Sequence, residues 1–528
     1  MEIPTTPFAI MALGPFAPVG TSAGKVQLHP VTAEALDAAL ATIAPRLWIP
    51  VPKEICPEGG LSIEPRRMKD LKAEGIAGCT PYLKDLRDAE EFIGQSRSRG
   101  MAPEKIAQEI TSQWPAIPLD LSLSAKGRKG SGSSAVDDLL SMVAMPDGPQ
   151  TASTGGAGPE GWKGQLETLL AENLRHVFAH PEWRIFEAAW RGLEVLVRQG
   201  GTREGAGITV NIVPLSGETL PSVLKSLTSD LTTDLPGLIL VDVPFDQTPR
   251  SLEGLGEVAA FAGQLLVPTA VWVTPRFFFL ESWQKLQGLP YLRNHMEDDA
   301  AYAKWRGLRK NPDAHWLAAA CNRFLARPPY GDDFPARIVP LEEDEALWVS
   351  PVYALGALVA QSVGAFGWPS RFTDYTAVKL ENLPVLPVAG SGSATTESVI
   401  PDDRLRQLKE VGITPLAGAS MKDIAFIPKE TTVSGESLAL RLFFSRIIGF
   451  LMRCRDDFYD RTPGVRVEEY VMEALAGLFR AAGDDPPEDL SVKAGASGDA
   501  SPLPLEITFT PPKRALHGAT SLSFTFAW

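Results

Sequence analysis

A chain of 528 residues exceeds what a single hydrophobic core organises, so two or three domains are expected. Its net charge of -14 argues against a general nucleic-acid binder, since no basic tract offers the counterion release that phosphate binding uses. Four cysteines, Cys56, Cys79, Cys321 and Cys454, stand far apart without CxxC spacing, which excludes a disulfide framework or zinc knuckle and reads as free thiols in a reducing compartment.

The opening MEIPTTPFAIMALGPFAPVG is apolar, but Glu2 and the lack of Lys or Arg before the run deny it the positive region of a secretory signal. Phe8 to Leu13 fits a buried strand. No apolar run reaches the ~18–20 residues of a membrane-spanning helix. A cytoplasmic protein without direct membrane insertion is expected. ALDAALATIA (35–44) predicts a helix, and RLWIPVPKE and GLSIEP predict two strands. YLKDLRDAEEFI (82–93) and EKIAQEITSQW (104–114) have helical spacing. IPLDLSLSA (117–125) alternates, with Leu119, Leu121 and Leu123 on one face, as a half-buried strand does. A small α/β domain over 1–125 follows.

Residues 126–161 read as linker, because AKGRKGSGSS and PDGPQTASTGGAGPEG are rich in Gly, Ser and Pro. Between them AVDDLLSMVAM (135–145) puts Val136, Leu139, Leu140 and Val143 on one helix face. A helix this short is marginal alone, so it docks either on its own domain or in a partner's groove.

The larger region, 162–528, begins with two helices (162–179 and 182–199). It then alternates GITVNIVPL, ETLPSVLKSLTSDL, GLILVDVPF, SLEGLGEVAAFAGQLL and TAVWVTP as strand, helix, strand, helix, strand. That order predicts βαβ units on a mostly parallel sheet. Helices follow near 347–363, at 437–458 and at 466–482, and LPLEITFTPP and TSLSFTFAW alternate like edge strands. The fold class is α/β throughout, with helical layers and C-terminal strands.

Within the second helix, HPEWRIFEAAWRGLEVLV (180–197) places Trp183, Phe186, Trp190, Leu193 and Val197 on one face, a stripe that anchors packing. Catalytic patterns are weak. GTSAGKV (20–26) is one residue short of a phosphate loop and has Val26 where a Ser or Thr would reach magnesium. His176 and His180 lack the HExxH glutamate, the serines of GSGSS and GASGDAS follow no strand, and EEDE (342–345) reads as a solvated loop. No catalytic, cofactor or metal set stands out, and a structural role is favoured over an enzyme.

FEAAWRGLEVLV resembles the signature helix of the large subunit of the type VI secretion contractile sheath. GLILVDVPFDQTPRSLEGLGEVAAFAGQLLVPTAVWVTPRFFFLESWQKL, AYAKWRGLRKNPDAHWLAAACNRFLARPPYG, LWVSPVYALGA and DDRLRQLKEVGITPLAGA continue the likeness in the family's order over most of 162–455. PFAIMALGPF and LSIEPRRMKDLKAEGIAGCTPYLKDLRDA are similar to the small sheath subunit, so the chain reads as both subunits joined.

The resemblance implies a contractile tail-sheath-like fold and a protomer of a helical homopolymer around an inner (Hcp-like) tube on a baseplate, neighbours being linked by exchanged strands. Leu119, Leu121 and Leu123, and Leu522, Phe524 and Phe526 of the terminal strand, are the expected exchange segments. Alternatively, these strands close their own domain's sheet. Trp183, Phe186, Trp190 and Leu193 would form the packing seam, with Arg191 and Gly192 a turn-like close contact in it. The helix bearing Val136, Leu139, Leu140 and Val143 resembles the one gripped by the family's AAA+ (ClpV-like) disassembly ATPase. The sequence begins six residues before Pro7, which leaves little room for the family's N-terminal exchange strand. Inter-ring linkage is therefore expected to be rewired, or the protein to be a non-polymerising adaptor, cap or baseplate component.

Overall fold

The computed structural model describes residues 7–18, 26–121, 158–203, 205, 207–231, 235–388, 392–461, 466–495, 503–518 and 521–528. In chain order the main strands are β1 (Phe8–Gly14), β2 (His29–Val31), β3 (Leu47–Pro50), β4 (Gly60–Ile63), β5 (Ile208–Pro214), β6 (Leu238–Phe245), β7 (Thr269–Val273), β8 (Leu317–Cys321), β9 (Phe324–Arg327), β10 (Ile413–Pro415), β11 (Ser491–Ala494), β12 (Pro504–Phe509) and β13 (Leu522–Ala527). The main helices are α1 (Leu36–Ile43), α2 (Ala73–Cys79), α3 (Pro81–Ser98), α4 (Pro103–Gln113), α5 (Pro159–Ala179), α6 (Pro181–Gln199), α7 (Leu220–Asp230), α8 (Pro249–Leu265), α9 (Pro351–Phe366), α10 (Leu438–Arg461) and α11 (Val467–Ala481).

A seven-stranded sheet in the order β10-β8-β7-β6-β1-β5-β2 organises the molecule. Every pairing in it is parallel except that of β2 with β5. Such a sheet is covered on both faces, which is why FAIMALG and LILVDVPF are nearly continuous apolar runs. Along β1, Ile10 and Ala12 enter one apolar layer with α5, α6 and α9, while Met11 and Leu13 enter the opposite layer with α7 and α8. A third core joins α10, α11 and Trp368 to the antiparallel sheet β11-β12-β13.

The boundary expected near residue 125 does not separate two cores. Ile10 pairs with Val210 on one side and Leu238 on the other, so the first strand of the N-terminal region is the middle of the following region's sheet. The β3–β4 hairpin and α1 to α4 pack into the same layer as α5 and α6. The physical reason is that β5 and β6 alone would leave a gap one strand wide, and β1, apolar on both faces, fills it.

Candidate assembly surface

Helix α6 opens with Pro181 at its first position and Glu182 in its first turn and closes with Arg198 in its last, an order that suits both ends of the helix dipole. Trp183, Phe186, Trp190, Leu193 and Val197 are all buried. Trp183 and Phe186 stand 5.8 Å apart and Phe186 and Trp190 6.4 Å, and Phe16 meets Trp190 edge-on at 5.6 Å. The contact at Arg191-Gly192 is not a turn. Gly192 lies inside the helix where a Cβ would stand 2.3 Å from Tyr353 Cδ2 and 2.7 Å from Val349 Cγ1, so glycine lets α6 press against α9.

Beside the seam lies a buried ion network that sequence reasoning missed. Glu187, fully buried on α6, accepts from Arg327 Nε at 2.9 Å and Nη2 at 3.1 Å. Arg327 also donates to both oxygens of Glu343, which in turn accepts from the Tyr330 backbone N–H at 2.9 Å. Its guanidinium lies over the rings of Phe178 and Tyr330, at 5.0 and 4.7 Å. Burial pulls this group's pKa down, but the two carboxylates outweigh it and hold it above the ordinary value. Arg191 adds a looser contact to Glu187 at 3.6 Å. EEDE is therefore not simply a solvated loop, since the Glu343 side chain is 4% exposed. The network rivets α6 to β9 and the segment after it with charge-assisted bonds that only this geometry satisfies.

The two proposed exchange segments differ: the first forms no strand over its described residues, and the terminal one pairs within its own sheet, the alternative reading. Residues 117–121 form no strand; Leu119 and Leu121 are half-buried against the main core, and the Asp120 backbone N–H donates to Gln165 Oε1 at 2.9 Å. Leu123 lies outside the described residues, as do Val136, Leu139, Leu140 and Val143 and most of GTSAGKV. β13, which carries Leu522, Phe524 and Phe526, closes its own domain's sheet, pairing antiparallel with β12 (Leu505 opposite Phe526, Ile507 opposite Phe524). Its other edge is free of strands among the described residues.

Among the described residues no group of three or more His, Cys, Asp or Glu is placed to hold a metal ion, and no helix is long and apolar enough to cross a membrane. The four cysteines are unpaired.

The chain is similar to the type VI secretion system sheath protein TssC1 of Pseudomonas aeruginosa, at 26% identity over 296 residues, 49% of this chain and 58% of that protein. It thus spans little more than half of that relative's length. Solved structures with a likeness include a chain of the anti-feeding prophage baseplate (12% identity, 65% of this chain and 77% of that one, TM-score 0.35) and one of an extracellular contractile injection system sheath in the contracted state (12%, 64% and 76%, TM-score 0.33). The family described as EvpB/VC_A0108, tail sheath N-terminal domain, matches residues 162–434, from the start of α5 through β10. The chain, with α6 and its ion network inside that match, belongs to this tail sheath family.

Proposed function

We propose that this chain is a structural protomer of a type VI secretion contractile sheath, polymerising around an Hcp-like inner tube on a baseplate and driving effector delivery by contraction in the cytoplasm. The observation that carries this reading is the family match over 162–434, more than half of the chain. Residues 1–125 act as the small sheath subunit in cis; the insertion of β1 between β5 and β6 supports this, because a partner subunit and a fused region would fill the same gap. The segment with Val136, Leu139, Leu140 and Val143 is the grip of a ClpV-like AAA+ ATPase. Changing Leu139 and Leu140 to Asp should abolish capture of such an ATPase, and unchanged capture rejects that role.

A non-polymerising adaptor, cap or baseplate component is the second reading, favoured by the pairing of β13 within its own sheet. Negative-stain electron microscopy of the protein, alone and with an inner-tube protein, separates the two. Hollow helical tubes support the sheath protomer. Monomers or small rings under both conditions support the adaptor.

A further inference from the structure

The carboxyl ends of β1, β5 and β6 open into a cleft of about 820 Å³. Topology makes it. The chain leaving β1 runs to β2, beyond β5 on one side, while that leaving β6 runs to β7 on the other, and loops that diverge from neighbouring parallel strands leave a crevice between them. The floor is apolar, with Phe186, Leu215 and Phe245 buried and Ile185 exposed at 56%. Among the described residues the rim is acidic: Glu182, Glu218, Asp246, Glu253 and Glu257 line it, with Arg250 the one cation there. The amino ends of α7 and α8 offset Glu218 and Asp246 in part, and Lys304 pairs with Glu253 at 2.9 Å. Glu257, two turns into α8, has no cationic partner among the described residues. Carboxylates outnumber cations among the described lining residues, which favours a cationic ligand over an anionic one. A short segment with an apolar side chain and several cations fits.

The chain carries one such segment. From Leu121 the sequence reads LSLSAKGRK, with Leu123 followed by Lys126, Arg128 and Lys129, and no acidic residue intervenes between Asp120 and Asp137. Asp120 is tied to Gln165 on α5, ~21 Å of helix before Ala179 and the cleft edge at Glu182. Leu123, three residues beyond Asp120 at ~3.4 Å each, spans about 10 Å at most and falls short of that edge in its own copy. A neighbouring copy has no such constraint.

We propose that the cleft receives the Leu123–Lys129 segment of a second copy of this chain, Leu123 meeting the apolar floor and Lys126, Arg128 and Lys129 the rim carboxylates. This rests on the reading that the chain self-assembles. It supplies a linkage between copies that exchanges no strand.

Two measurements test it. The first titrates a labelled peptide of residues 121–134 into the full chain bearing Lys126→Ser, Arg128→Ser and Lys129→Ser, which leaves the cleft vacant, and into the same chain with Glu218→Lys and Glu257→Lys, two exposed positions. Binding that weakens at least tenfold in the second protein and falls with salt is expected. No binding, or equal binding to both, overturns the proposal. The second mixes ¹⁴N- and ¹⁵N-labelled copies of the unaltered chain and joins amines to carboxylates with a zero-length carbodiimide. Mixed-isotope peptides linking Lys126 or Lys129 to Glu182, Glu218 or Glu257 are expected; same-isotope links alone overturn the second copy as occupant. Mixed links in dimers that never form tubes would support the contact and reject only the sheath reading.

Discussion

Trp190 donates its indole N–H to the carbonyl of Phe16 at 3.2 Å, across 174 residues of chain. Both groups are buried, and the Phe16 ring also meets Tyr353 edge-on at 6.4 Å, so the segment after β1, helix α6 and helix α9 converge on one point. Trp190→Phe removes the donor, leaves a buried carbonyl without its partner and opens a small void. A loss of about 1–3 kcal/mol in urea unfolding is expected, with both regions still melting in a single transition.

The same convergence predicts how a cut chain behaves. With a protease site inserted in the Gly/Ser-rich stretch near residue 131 and cleaved, the two pieces should co-elute in gel filtration without denaturant, because separating them would expose both long edges of β1. Elution as two species would show that the shared sheet does not hold them.

Gly192 and Gly164 make a paired test. Alanine at 192 drives a methyl into Tyr353 and Val349, and a loss of about 1–3 kcal/mol is expected. Alanine at 164 in α5 meets nothing within 4 Å and should stabilise by about 0.5–1 kcal/mol through helix propensity. Thermal melts of the two variants should shift in opposite directions.

Arg327→Met strands Glu187 in a fully buried site. A loss of about 3–5 kcal/mol is expected, and adding Glu187→Gln should restore part of it, because the second change removes the unpaired charge. Additive losses in the double variant would show that the two side chains are not coupled.

Asp242, on β6 at the cleft, is half-buried and its carboxyl is pushed up to about 6 from 3.8 by desolvation, against the pull of hydrogen bonds such as that from Trp272 Nε1 at 3.1 Å. Between these two values the folded chain holds more proton at this site than the unfolded one, so stability falls as pH rises from about 4 to 6, by on the order of 3 kcal/mol. Asp242→Asn should remove that decline. Urea midpoints from pH 4 to 7 should show the difference between wild type and variant growing across the window and then levelling, and a constant difference would reject the assignment.

The long elements were legible because each carries its own period or apolar run: β1, β5, β6 and β7 as strands, α6 as a striped helix, β12 and β13 as alternating pairs. β2 and β8 were not. HPV contains a proline at a sheet edge, and LAAAC lacks the branched side chains that mark strands, so both owe their conformation to the neighbours they pair with. IPLDLSLSA shows the converse, since its alternation serves a half-buried irregular stretch over 117–121. Around α6, the aromatic stripe could be read from spacing, whereas the Glu187–Arg327–Glu343 network could not. Its members are 140 and 16 residues apart, and nothing local to any of them signals burial.

The position of β1 also sets a timetable for synthesis. Its partners, Val210 and Leu238, emerge from the ribosome roughly 200 and 230 residues later, which at about 5–20 residues per second is on the order of 10–50 s. Throughout that interval the apolar FAIMALG segment lacks both strands that flank it in the fold. Until those later strands arrive the segment is open to misassociation, so expression at reduced translation rate should raise aggregation unless a holdase is co-produced.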